Sequence, residues 1–129
     1  MLYREPEYID LPDELREKLV AFREDHADDP VGDVAQRVLF EDDVVRIWEM
    51  KLEPGEYSDL HHHAHDYYLV IFSGDLVAGI PPKGEGVEPF AVRIPPEGNT
   101  IQIPKGGTEW AFNAGEKVYH EVLIELKKS

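Results

Sequence analysis

The 129-residue sequence contains no cysteine. That excludes a disulfide scaffold, a thiol nucleophile and a cysteine-ligated zinc finger, and it fits a reducing compartment. Positive charge is also scarce: 13 Lys and Arg stand against 27 Asp and Glu, for a formal net charge of −14. A surface of that sign repels phosphate backbones, so neither nucleic acid nor an anionic membrane is an expected partner. No apolar run approaches the ~18 residues of a membrane span. The opening Met1-Leu2-Tyr3-Arg4-Glu5 lacks the basic and apolar regions of a secretion signal. A soluble, cytoplasmic protein is the expectation. Apolar residues make up 42% of the chain, enough for one domain with its own core. At this length roughly 68–70% of the unfolded surface can be buried, so the fold needs neither metal nor disulfide to hold it.

Two regions differ in periodicity. Residues 1–34 comprise an arm with apolar anchors (Leu2, Tyr3, Tyr8, Ile9) and one helix, expected over 11–28. Asp10 is the candidate N-cap, Pro12 falls in the first turn, and Asp13 and Glu14 suit the positive end of the helix dipole. Leu15, Leu19 and Phe22 recur on one face, which must pack on something, and Asp28-Asp29-Pro30 ends the helix. Over 35–129 the period becomes two. Strands are expected at 35–40, 44–52, 57–63, 67–73, 76–80, 87–94, 100–103, 109–113 and 117–126, separated by turns such as Glu53-Pro54-Gly55 and Pro104-Lys105-Gly106-Gly107. Many short strands between Pro/Gly turns argue for an antiparallel sandwich or barrel. In the last strand Val118, His120, Val122, Ile124 and Leu126 share one face, so His120 lies on the apolar parity and is a candidate core histidine.

The densest chemical feature is His61-His62-His63-Ala64-His65. On an extended segment, residues two apart point the same way, so His61 and His63, with His65 as a further candidate, can converge on one metal ion. The first spacing runs Gly55-x5-His61-x-His63-x3-Tyr67-x6-Gly74, and a second runs Gly98-x5-Pro104-x-Gly106-x2-Glu109-x3-Asn113. These strings resemble the paired motifs of the cupin superfamily, G-x5-H-x-H-x3,4-E-x6-G and G-x5-P-x-G-x2-H-x3-N. Two positions depart: Tyr67 stands where the family usually has glutamate, and Glu109 where it usually has histidine. The resemblance implies an all-β, antiparallel cupin barrel (a double-stranded β-helix or jelly roll) with one N-terminal helix.

By position, the resemblance further implies His61, His63 and Glu109 as ligands of a divalent transition ion: iron, manganese, zinc or nickel. Two imidazoles and one carboxylate form a workable set that leaves positions open for water or substrate. Tyr67, a neutral phenol with an ordinary pKa of about 10, suits a hydrogen bond to substrate or a proton transfer better than ligation. The implied activity is metal-dependent chemistry on a small organic molecule, of dioxygenase, lyase or isomerase type. The alternative is a non-catalytic cupin that binds a sugar or effector. Small-molecule substrate apart, the expected partner is a second copy of the chain, with the arm packed on the partner's barrel.

Overall fold

The computed structural model describes residues 3–129; Leu2 lies outside them. The helical period of the N-terminal region yields α1 (Asp13–Asp25), preceded by a two-residue strand β1 (Glu7–Tyr8). Helix α1 is capped at Pro12, not at Asp10, and has no side-chain cap. Proline's fixed φ, here −58°, places its carbonyl to accept the first helical bond, from Arg16 at 2.9 Å. The period-two region gives β2 (Arg37–Glu41), β3 (Val45–Leu52), β4 (His61–His62), β5 (Asp66–Ser73), β6 (Leu76–Ile80), β7 (Phe90–Arg93), β8 (Asn99–Ile103), β9 (Thr108–Asn113) and β10 (Tyr119–Leu126).

These strands form two antiparallel five-stranded sheets, ordered β1-β7-β6-β9-β4 and β2-β3-β10-β5-β8. They pack face to face as a jelly roll, the double-stranded β-helix expected, with edge strands left in each sheet. The arm joins the first sheet of its own chain: Glu7 pairs with Arg93 and Tyr8 with Val92. Asn99 clamps it further, its side chain accepting from the Arg4 amide at 2.8 Å and donating to the Arg4 carbonyl at 2.9 Å.

The two outer faces differ. Helix α1 covers the outer face of the first sheet, where fully buried Leu19 joins Ile80, Trp110 and Phe112, with Leu15 and Phe22 against them. No helix covers the second sheet among the described residues. In β10 the alternation puts Tyr119, Glu121, Leu123 and Glu125 inside and His120, Val122, Ile124 and Leu126 outside. The apolar parity of this strand therefore faces away from the core, the reverse of the expectation. His120 is no core residue: its Nε2 lies 3.0 Å from Glu49 Oε2, and its ring packs near Phe72 on the outer surface. Trp48 and Met50 are buried packing residues, the Trp48 indole donating to buried Glu125 at 2.9 Å. The polar demand of a buried indole and a buried carboxylate is thus met inside the core.

Candidate metal centre

Strand register brings the two motifs together. In the antiparallel pair β4–β9, His61 stands directly opposite Glu109. Beyond β4 the pairing continues through the Pro104–Gly107 turn: the His63 amide donates to Gly107 and accepts back, through its carbonyl, from Gly106, both at 2.8 Å. Gly106 turns here with φ +116°, a conformation that side chains rarely adopt. Alternation along β9 sends Glu109 and Ala111 inward while Trp110 and Phe112 face the helix.

The donor atoms of His61, His63 and Glu109 lie within 4.8 Å of one another. One ion with ligands ~2.0–2.2 Å away needs donors roughly 3–4 Å apart, a difference that side-chain rotation makes up. His61 is buried, and its Nδ1 lies 2.9 Å from the Asp59 carbonyl. A carbonyl only accepts, so Nδ1 carries the proton and Nε2 keeps its lone pair for a ligand. Burial holds the His61 pKa below the ordinary imidazole value, the Asp59 bond and Glu109 opposing, which favours the neutral, ligating form. His63 is buried with neither ring nitrogen hydrogen-bonded, and its Nε2 lies 3.6 Å from Glu109 Oε1. A buried imidazole without partners is costly unless something else satisfies it, and a metal ion does so. The donor set therefore fits the ion that the motif resemblance implies.

Gly79, on neighbouring β6, is part of this arrangement. A Cβ there would meet Glu109 Oε2 at 2.5 Å and would strike the Phe90 ring, so the carboxylate occupies space that only glycine leaves. Nothing in the spacing of the motifs marked this residue; a glycine inside an otherwise apolar strand was the available signal.

The other sequence candidates stand outside the triad, Tyr67 beside it and His62 and His65 directed away. Tyr67 is buried with its ring edge-on to His63, centroids 4.8 Å apart, and burial pushes its pKa up to about 12. It is absent from the lining of the cavity described next. His62 points outward, Nδ1 2.8 Å from the Thr108 hydroxyl. His65 turns away to a separate cluster, its Nε2 3.5 Å from Glu125, and so does not converge with His61 and His63.

His61, His63 and Glu109 open onto a cavity of about 250 Å³ between the sheets. Its walls are mainly apolar, with Met50, Leu69, Ile71 and Leu123 from the second sheet opposite Val77 and Ala111 of the first. Glu121 also lines it, from the sheet facing the triad. This carboxyl is 3% exposed; one oxygen accepts from the Tyr119 hydroxyl at 2.7 Å, and the other, Oε2, has no partner. Burial, reinforced by the Glu109 charge and opposed by the Tyr119 bond, pushes Glu121 up to about 7. Reading β10 by its apolar parity conceals this residue. The visible signal was the regular Tyr119-Glu121-Leu123-Glu125 alternation, two carboxylates spaced among bulky groups.

Neither a protein-family model nor a curated protein matches the sequence. Solved structures do. The chain is similar to a cupin domain from Bordetella pertussis Tohama I, with a TM-score of 0.62 at 20% identity over 74% of this chain and 99% of that one. It is also similar to a protein with a double-stranded β-helix domain from Klebsiella pneumoniae, with a TM-score of 0.53 at 17% identity over 81% of this chain and 86% of that one. At such identities the likeness concerns the fold.

Proposed function

From a chain with the cupin fold we propose a metal-dependent enzyme acting on a small organic molecule, with His61, His63 and Glu109 holding one divalent transition ion. The observation that carries this reading is the doubly unpartnered buried ring of His63, set beside a His61 whose free nitrogen is fixed by its Asp59 bond. A bound ion held by these three residues would supply Lewis-acid chemistry beside the cavity. The chain's own groups do the rest. Asp59 orients the His61 ring, Gly79 leaves room for the Glu109 carboxylate, and Tyr67 positions His63 by packing on its ring while remaining a neutral phenol. The apolar walls exclude water around whatever enters.

The test is metal uptake by the untagged chain followed by turnover. After incubation with Fe(II), Mn(II), Zn(II) or Ni(II), about one ion per chain is expected for one of the metals. Consumption of O₂ or conversion of a small-molecule panel would then follow only in the loaded protein. Uptake below roughly a tenth of one ion would contradict the reading and favour the non-catalytic binding cupin.

We also propose that the chain works as a homodimer through the outer face of the second sheet, not through the arm, which pairs with its own β7. Tyr68, Phe72 and Phe40 on this face are 40%, 47% and 52% exposed, and Val70, Val122 and Ile124 lie among them. At strand spacings of ~4.8 Å and ~3.3 Å per residue, the face measures roughly 20 Å by 25 Å. That is about 500 Å² of flat area, below the ~800 Å² per partner of a standard interface and suited to a smaller contact. Two copies, each at net charge −14, can meet only where charge is low. Here the one outward carboxylate of β3, Glu49, beside the central strand β10, is already paired with Arg37 and His120.

A further inference from the structure

The cavity beside the triad is uneven in its chemistry. Its ionisable lining groups other than tyrosine are His61, His63, Glu109 and Glu121, and among the described residues no Lys or Arg lines it. Of these, Glu121 is alone in facing the triad from the opposite sheet, and its Oε2 is buried without a hydrogen-bond partner. A buried acceptor left unfilled is destabilising, so a ligand able to donate to it recovers that loss on binding. Tyr119 already occupies the other oxygen at 2.7 Å, which aims the carboxyl and leaves one acceptor for a guest.

We infer that the cavity takes an uncharged, mainly apolar molecule whose hydroxyl or N–H group donates to Glu121 Oε2.

Three observations combine here. First, the cavity of about 250 Å³ has room for a small ring or short branched chain. Second, the walls are aliphatic on both sheets, so most of the guest must be apolar. Third, the charges select against ions. A divalent cation held by Glu109 would carry two positive charges against one carboxylate; Glu121 cancels the remainder. An organic anion entering such a cavity would add net negative charge with no Lys or Arg to meet it, inside a chain already at −14. An organic cation would lose its hydration to reach a site whose carboxylates are already balanced. The raised pKa of Glu121, partly caused by Glu109, is consistent with two carboxyls that sense each other across this space.

The inference deepens the reading of the cavity as a ligand site beside the metal centre, and rests on it. Four probes of nearly equal shape separate the possibilities: benzyl alcohol, benzylamine, benzoate and toluene. Each is titrated into the full chain at pH 8, above the raised Glu121 pKa of about 7, by ligand-observed NMR, once with Zn(II) added and once with chelator, and metal content is measured on the same samples. With Zn(II) bound, benzyl alcohol is expected to bind at least tenfold tighter than benzoate and benzylamine; with chelator, the preference over benzoate is expected to remain. Glu121→Leu should abolish the preference for benzyl alcohol over toluene while leaving toluene affinity within threefold. If that variant fails to fold, Glu121→Gln keeps the shape; there the discrimination against benzoate should shrink at least threefold. Tightest binding of benzoate or of benzylamine overturns the inference, as does an unchanged alcohol preference in the Glu121 variant or no binding of any probe. The two readings fail separately. A chain that takes up no ion yet prefers the alcohol refutes the metallo-enzyme and leaves the ligand class standing; a loaded chain that prefers benzoate does the reverse.

Discussion

At the scale of single residues, the two histidines and Glu109 were legible because strand alternation and motif spacing both act locally. Positions i and i+2 must share a face, and register through a short turn fixes what stands opposite. Glu121 was not legible, since nothing in one strand's alternation says which parity faces inward when both contain apolar groups. The account predicts separable effects here. Glu109→Ala removes one of three anchors and should weaken metal binding at least tenfold, about 1.4 kcal/mol. Glu109→His should keep the ion, because imidazole suits the same metals. Tyr67→Phe should leave metal content unchanged, because phenylalanine keeps the ring that packs edge-on against His63, and inductively coupled plasma mass spectrometry on the three variants decides each case. Glu121 adds a prediction about pH for the metal-free protein. Its pKa is raised to about 7 from an ordinary 4.5. The native state therefore holds this proton more tightly than the unfolded chain. The stability it contributes is complete below about pH 4.5 and is lost as pH rises through about 7. Between pH 5 and pH 8 the wild type should lose about 2–3 kcal/mol relative to Glu121→Gln. Urea unfolding at the two pH values, with chelator present, measures this; parallel changes in both proteins would contradict it.

At the scale of elements, strands bounded by Pro/Gly turns were readable nearly to the residue, as for the expected 76–80 and observed Leu76–Ile80. Three differences have physical causes. Strand β1 is two residues long and exists only by pairing with β7, so no periodicity announces it. The expected strand 57–63 shortens to His61–His62 because Tyr57 meets Phe112 through a single isolated bridge. Helix α1 starts later than Asp10 because Pro12 sets the cap geometry. The helix is held by packing more than by capping: Leu19 is fully buried against Ile80, Trp110 and Phe112. Leu19→Ala should therefore destabilise the protein by about 2–5 kcal/mol, whereas a substitution at exposed Glu17 should change stability by less than about 0.5 kcal/mol. Thermal or urea unfolding reads both, and equal small effects would mean that the helix is not a structural cover for the first sheet.

At the scale of the whole molecule, the same imbalance explains both the inverted parity of β10 and the proposed assembly. A sheet sandwich has two outer faces; one helix covers one of them, and the sequence's remaining apolar alternation lies on the other. Read from sequence alone, an apolar row signals a core, and only the position of α1 reveals that this row is outside. The account predicts a dimer of twice 14.8 kDa by light scattering. Ile124→Glu, at the centre of the face, should give a folded monomer, while truncation of residues 1–9 should leave the dimer intact. A wild-type monomer at micromolar concentration would contradict the proposal, as would dissociation on removing the arm alone.

Anomalous diffraction at the metal's absorption edge decides whether one ion sits among His61, His63 and Glu109. Crystals of the untagged chain loaded with its preferred metal should show one dominant peak per chain. That peak should lie about 2.0–2.2 Å from His61 Nε2, a ring nitrogen of His63 and a Glu109 oxygen. A dominant peak at His62 or His65 instead, or no peak at the triad in protein that retains its metal, would contradict the account.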